Sequence, residues 1–152
     1  MSELKADGAA KTATSTRNPL LATWKTPFEL PPFEKIKPAH FRPAIDKAIE
    51  THKAEVEKIL SNTASPTFGN TVAAMEKAGA LLTRVLRTFY NLTSADTNPE
   101  LQAIERDIAP ILSQHSTAIA LDPRLFARVD TIVQRGKRQK LDAEQRRASA
   151  LR

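Results

Sequence analysis

From residue 39 to about residue 135, apolar side chains recur at steps of three and four residues, without a run that alternates apolar and polar positions. The three-to-four-residue period places apolar side chains along one stripe of an α-helix, whereas a period of two would indicate a half-buried strand. Stretches rich in turn residues divide this pattern at 61–70 and 93–98. The sequence therefore predicts an all-α fold, an antiparallel array of four helices followed by the start of a fifth.

The first two predicted helices cover 39–60 and 71–93. Asn70 or Thr71 is the predicted N-cap of the second helix, since short polar side chains satisfy the free amides at a helix start. Gly79 lies on the apolar stripe of this helix. A helical glycine costs about 1 kcal/mol relative to alanine, so we expect another helix to approach closely at this position.

The third and fourth predicted helices begin at the dipeptides 98–99 and 122–123, in each of which a capping residue precedes a proline. Pro110 interrupts the third helix and should kink it. Gly136 is expected to end the fourth helix, because glycine is frequent just beyond a helix C-terminus. Residues 142–152 then resemble the start of a fifth helix, with Asp142 as its cap.

Two segments precede the helices. Residues 1–17 are small and polar and predict a disordered tail. Residues 18–38, which we call the strap, contain five of the ten prolines and should be extended, because proline excludes long helices and central strands. Trp24, Phe28 and Phe33 are expected to dock the strap on the helices. A proline-rich recognition ligand is the alternative interpretation.

The composition excludes several classes of protein. The chain has no cysteine, which removes disulfide scaffolds, thiolate metal sites and cysteine nucleophiles. Its four glycines form neither GxGxxG nor a phosphate-binding loop. No stretch approaches the roughly 20 apolar residues that a membrane-spanning helix needs. Without an apolar signal segment at its start, the chain is expected to be cytoplasmic.

Basic residues exceed acidic ones, 23 to 17, and the excess is concentrated near the C-terminus. This basic run consists of Arg135, Lys137, Arg138, Lys140, Arg146 and Arg147. Two acidic residues interrupt it, and no aromatic residue lies within it to stack on a base. These observations favour a solvated helix face, so nucleic-acid binding through 135–147 is kept only as the alternative.

The residues that could carry chemistry are scattered. None of His40, His52 and His115 begins an HExxH motif, and no two histidines are four residues apart on a helix. His52 and His115 fall on apolar stripes, where we expect hydrogen-bonded histidines at the edge of the packing. Glu55 and Glu57 should point to different sides of their helix. No serine lies in a GxSxG elbow. We therefore predict no catalytic, cofactor-binding or metal-binding residue in this chain.

Several long strings, in this order, resemble the N-terminal region of the thimet-oligopeptidase family of zinc metallopeptidases. They are NPLL at 18–21, TPFELPPFEKIKPAHFRPAIDKAI at 26–49, PTFGNTVAAMEKAGALLTRV at 66–85, FYNLTSADTNPELQAIE at 89–105 and LDPRLFARVDTI at 121–132. Within the family the likeness is strongest to the bacterial peptidyl-dipeptidases. It covers roughly residues 18–145.

The resemblance implies a nearly all-helical enzyme with a deep channel that admits short peptides, and peptidyl-dipeptidases of this kind release C-terminal dipeptides. It also implies one zinc ion, held by two histidines of HExxH and a downstream glutamate. None of these residues maps onto this sequence. Residues 39–152 would then be the N-terminal helical region, truncated before the catalytic part, inactive alone and forming one channel wall. An autonomous helical interaction module is the competing hypothesis.

Overall fold

The computed structural model describes residues 18–26, 30–95 and 98–138, together with Gln145, Arg147 and Ala150. These residues form helices, turns and irregular segments and contain no strand, which confirms the all-α prediction. The α-helices are α1 (Phe41–Leu60), α2 (Ala74–Lys77), α3 (Ala80–Ala95), α4 (Pro99–Ala120) and α5 (Pro123–Arg138). Two 3₁₀ turns, Phe33–Lys35 and Pro38–His40, precede α1, and a π-helical turn, Phe68–Ala73, precedes α2.

The predicted N-caps of α4 and α5 are confirmed. The Leu101 amide donates to Asn98 Oδ1 at 2.9 Å, so the side chain before Pro99 satisfies a free amide of the first turn. In α5 the Arg124 amide donates to Asp122 Oδ1 at 2.8 Å. In both helices a capping side chain followed by proline starts the helix where the sequence placed it.

The predicted cap of the second helix was wrong by three or four residues. The helical segment begins after Thr67, whose hydroxyl accepts from the Asn70 amide at 3.1 Å. The Asn70 side chain in turn accepts from the Thr67 amide at 2.8 Å. Asn70 is therefore the third residue of the π-helical turn and completes a reciprocal capping box, rather than starting the helix itself.

The prediction of one continuous helix over 71–93 was also wrong. The backbone leaves the helix at Ala78, and Gly79 has a φ of +78°, so α2 and α3 are separate helices. Only glycine takes this left-handed conformation without steric cost. The close approach expected at this position does occur, but the neighbour is a histidine side chain in contact with a turn.

Two further features concern the ends and interior of the helices. α4 continues through Pro110, and the kink expected there stays a prediction. α5 runs past Gly136 to Arg138, so the predicted end at this glycine was wrong. A glycine ends a helix only where it turns left-handed, and Gly136 keeps a right-handed backbone.

The tail predicted at 1–17 lies outside the described residues, as does most of the helix start predicted at 142–152.

The described residues fall into two compact units. The first unit lies within Met1–Ile49 and Leu81–Ile108, and the second lies within Glu50–Ala80 and Ala109–Arg152. α1 and α4 contribute residues to both units. Each unit has buried residues of its own, and their composition differs.

The first unit is built around an apolar core. Its fully buried large side chains include Phe41 and Phe89, whose rings meet edge to face with centroids 5.0 Å apart. Edge-to-face aromatic pairs stabilise a core beyond the area that they bury. The remaining buried apolar residues of this unit are Leu20, Ala44, Ile45, Ala48, Ile49, Leu82, Val85, Leu101 and Ile108.

The strap is held in the first unit by Trp24, as expected, and by Asn18 and Leu20, which were not among the predicted docking residues. Leu20 is fully buried, and Asn18 Nδ2 donates to the His40 carbonyl at 2.8 Å. The Arg84 guanidinium lies 4.7 Å from the Trp24 ring centroid, a cation–π contact. Phe33 is 44% exposed, so its predicted docking was wrong. Phe28 lies outside the described residues.

Candidate functional site

The second unit contains a pair of histidines in direct contact. His52 of α1 and His115 of α4 place Nδ1 and Nε2 3.0 Å apart, and their rings cross at 76°. His115 is buried and His52 is half-buried. The expectation that both would be hydrogen-bonded at the edge of the packing is therefore confirmed, with each histidine as the partner of the other.

The histidine pair lies against the turn that separates α2 from α3. A Cβ atom at Gly79 would stand 3.0 Å from Cε1, Nδ1 and Nε2 of the His52 ring, which leaves no room for a side chain there. The Gly79 amide donates to Glu55 Oε2 at 2.7 Å. Two residues that are one helical turn apart on α1 therefore hold this turn, one through ring contact and the other through a charge-assisted hydrogen bond.

The surroundings of the pair favour neutral imidazoles. Burial lowers the pKa of His52, although the Glu55 carboxylate acts in the opposite direction. Burial also lowers the pKa of His115, and positive charge on His52 and Lys53 lowers it further. Since a neutral ring has one N–H group and one lone pair, two neutral rings can form the observed hydrogen bond.

The two glutamates considered as an acid/base pair diverge, as the sequence predicted. Glu55 accepts from Gly79, whereas Glu57 accepts from Arg124 Nη1 at 2.8 Å on the exposed surface. His40 belongs to the first unit, where its Nδ1 accepts from the Lys37 amide at 3.0 Å. Of the three histidines, His52 and His115 therefore form the pair, and His40 makes its contact with Lys37 instead.

Sequence analysis did not identify Arg128, which is 7% exposed and is a buried charged side chain among the described residues of the second unit. Its guanidinium donates to the Asn62 carbonyl at 2.7 Å, to Asn70 Oδ1 at 3.1 Å and to Thr71 Oγ1 at 3.1 Å. Its position three residues after Leu125, on the inward stripe of α5, was the signal in the sequence that could have identified it.

The basic run is only partly within the described residues. Arg135 donates to Ser65 Oγ at 2.8 Å and to the Pro66 carbonyl at 3.2 Å, so its guanidinium is bound to the loop before the π-helical turn. The side chains of the other five residues of the run are not all described. Nucleic-acid binding through 135–147 stays the untested alternative.

Known proteins resemble the chain over most of its length. The dipeptidyl carboxypeptidase of Salmonella typhimurium is 41% identical over 127 residues, which are 84% of this chain and 19% of that protein. The Escherichia coli dipeptidyl carboxypeptidase is 39% identical over 130 residues, 86% of this chain and 19% of its own length. Oligopeptidase A of Escherichia coli is 35% identical over 109 residues, 72% of this chain and 15% of its own length. The chain belongs to the thimet-oligopeptidase family, within its N-terminal region. It matches no protein-family profile.

This chain spans about a fifth of the length of the dipeptidyl carboxypeptidases that it matches. The zinc ion associated with the thimet-oligopeptidase family needs at least three protein ligands. The sequence has no HExxH, and the described ranges contain no group of three or more His, Cys, Asp or Glu side chains that could hold a metal ion. In the histidine pair, the two facing nitrogens bind each other. The residues described here do not fit the family's zinc site.

Among the described helices, none combines the length and the apolar character that crossing a bilayer demands.

Proposed function

We propose that this chain is the N-terminal helical region of a zinc-dependent peptidyl-dipeptidase that removes C-terminal dipeptides from short peptides. The observation that carries the proposal is the match to two dipeptidyl carboxypeptidases over 84% and 86% of the chain. In this proposal the zinc ligands and the general base lie outside these 152 residues, and the chain alone is inactive. Its role is to form part of the wall of the substrate channel.

The exposed apolar side chains support a role within a larger protein. On the second unit, Leu121 is 76% exposed and Phe126 is 74% exposed. On the first unit, Leu30 is 56% exposed. Large apolar side chains that are exposed near one another, as at the start of α5, are suited to contact with another protein surface. In the proposed enzyme, the catalytic part covers some of these side chains.

The first experiment measures the activity and metal content of the chain as it exists. The purified chain is incubated with short peptides, released dipeptides are quantified, and zinc is measured after dialysis. We expect neither dipeptide release nor stoichiometric zinc. Activity together with one bound zinc per chain would show that the catalytic group is present and would overturn the proposed structural role.

A chimaera tests the proposed enzyme directly. Residues 18–138 of this chain replace the matching segment of the Escherichia coli dipeptidyl carboxypeptidase, and kcat and KM are measured for dipeptide release. We expect the chimaera to keep peptidyl-dipeptidase activity, with a larger change in KM than in kcat, because a channel wall contacts substrate without entering the chemistry. A folded, zinc-loaded chimaera without activity would contradict the proposal. The same chimaera carrying Phe126→Ala, compared with the unsubstituted chimaera in kcat and KM, tests whether the exposed Phe126 side chain contributes to the enzyme.

A further inference from the structure

We propose that the His52–His115 pair is a pH-sensitive latch that holds the α2–α3 turn at Gly79 and releases it when both rings are protonated. This inference is independent of the proposed function, since it concerns only contacts within the second unit. It is carried by three observations. These are the 3.0 Å contact between the two ring nitrogens, the His52 ring against Gly79, and the bond from the Gly79 amide to Glu55.

The hydrogen bond between the rings depends on the number of protons that the pair binds. Two neutral rings form it, and one protonated ring can still donate to a neutral partner. Two protonated rings have N–H groups at all four nitrogens, so no lone pair is left to accept. Two positive charges would also stand within a few ångströms in a half-buried site, where such repulsion is strong. The second proton therefore breaks the contact, and the pair titrates as a coupled unit.

Breaking the pair affects the turn because His52 and Glu55 hold it together. The His52 ring fills the space where a Gly79 side chain would lie, so a displaced ring leaves the turn unsupported on that side. A protonated His52 also attracts the Glu55 carboxylate, which is the acceptor for the Gly79 amide. Both effects weaken the same left-handed turn at Gly79.

The charged groups around the pair are few. On α1 they are Glu55, which raises the pKa of His52, and Lys53, which lowers the pKa of His115. On α4 the residues within one turn of His115, from 111 to 119, carry no charge. α2 carries Glu76 and Lys77, and residues 78–80 of the turn are uncharged. Glu55 is the carboxylate whose charge raises the pKa of His52, and it is already the acceptor for the Gly79 amide.

The sign of the pH dependence follows from the direction of both pKa values. Both are lowered in the folded chain from an ordinary value of 6.5. Between 6.5 and the lowered values the unfolded chain binds more protons than the folded chain, so the stability of the second unit rises with pH. It is fully present above 6.5 and decreases as the pH falls from 6.5 through the lowered values.

The test is amide hydrogen exchange of the full chain, corrected for intrinsic rates, at about pH 8 and about pH 5, a range in which histidine changes its charge. We expect protection of Gly79 and the adjacent amides of α2 to fall by about tenfold at the lower pH. In His115→Gln, the remaining hydrogen bond does not depend on a second titrating ring, and this response should shrink by more than half. His40→Gln, which removes a histidine from the first unit, should leave the response unchanged.

Two results would overturn the latch. One is a wild-type chain whose protection at Gly79 does not change between the two pH values. The other is an equal loss of protection in wild type and His115→Gln. If His115→Gln fails to fold, the ring nitrogens of the wild type are titrated by NMR, in the folded chain and in urea. The latch requires both ring pKa values to be lower in the folded chain, whereas equal values in the two states would refute it.

Discussion

In the first unit the buried side chains are mostly aromatic and aliphatic, with Asn18 and Thr88 as the buried polar ones, whereas the second unit buries Thr71, His115 and Arg128 beside a few aliphatic residues. The contact between Phe41 and Phe89 is apolar, and apolar contacts depend little on direction. The polar contacts of the second unit each require a particular donor facing a particular acceptor. The first unit should therefore tolerate apolar exchanges of similar volume, and the second should not tolerate the loss of a single partner.

The largest expected effect comes from emptying the apolar core of the first unit. Phe89→Ala removes a fully buried ring and its edge-to-face contact, and should lower the free energy of unfolding by about 3–5 kcal/mol. Urea unfolding followed by fluorescence of Trp24, the single tryptophan, measures this loss. Phe126→Ala, at a side chain that is 74% exposed, is the matched control and should change stability by less than about 0.5 kcal/mol.

The comparison is sharpened by a smaller loss of volume at the same position. Phe89→Leu should cost less than half as much as Phe89→Ala, because a directionless core can repack around another apolar side chain. A cost equal to that of alanine would show that the ring geometry, rather than the buried volume, stabilises the first unit. The proposed difference between the units would then not hold.

The next largest loss of stability is expected at Arg128, the buried cation of the second unit. Arg128→Met keeps the apolar stem but leaves acceptors on Asn62, Asn70 and Thr71 without their donor. We expect the free energy of unfolding to fall by about 2–4 kcal/mol, because it is costly to leave buried acceptors without a charged donor. Hydrogen exchange of residues 62–72 measures it. An Arg128→Met variant that is as stable as the wild type would show that apolar burial also dominates the stability of the second unit.

Substitution of Gly79 should lower the free energy of unfolding by less than Arg128→Met does. Gly79→Ala forces a left-handed alanine and displaces the His52 ring, and should cost about 1–2 kcal/mol from the backbone alone. Gly69→Ala is the control, since its new Cβ would have Thr67 Oγ1 as nearest neighbour at 4.0 Å. It should shift stability by less than about 1 kcal/mol. Equal effects at the two glycines, measured by urea unfolding, would contradict the close packing of the histidine at the turn.

Whether a feature is fixed by nearby or by distant residues decides what could be predicted from the sequence. Apolar periodicity predicted helices in both units, because a stripe of apolar residues reports burial without naming its partner. The caps at Asn98 and Asp122 were predicted because their bonds close within three residues. The collinear sequence segments shared with the thimet-oligopeptidase family predicted which proteins the chain is related to. Apolar periodicity alone could not have done so.

Two of the missed features depend on partners that are distant in the chain. Gly79 leaves the helix where the His52 ring occupies its Cβ position, and nothing within residues 71–93 records that contact. Arg128 is buried because acceptors near residues 62–71 converge on it from another segment. Local patterns report the period of a helix, but not which side chain from elsewhere will meet it.

The smallest expected effect comes from the exposed ion pairs of the second unit. Arg124 lies 2.8 Å from Glu57 and 2.9 Å from Asp122, and these bonds lower the pKa of both carboxyl groups from 4.5 and 3.8. The stabilisation is present above these ordinary values and is lost as the pH falls through the lowered ones. Because solvent screens exposed pairs, the loss should be small and should shrink further with added salt.

Arg124→Met should therefore flatten the decline in stability on the acid side, below about pH 4.5, the ordinary pKa of Glu57. It should leave the histidine-dependent decline near pH 6.5 unchanged. Arg42→Met, which breaks an exposed pair with Asp46 in the first unit, is the matched control. Unfolding midpoints in urea, measured at low and high salt across this range, separate the two declines. If Arg124→Met lowered the free energy of unfolding as much as Arg128→Met, burial would not be what distinguishes the two arginines. Exposed ion pairs would then stabilise the second unit as much as its buried polar contacts do.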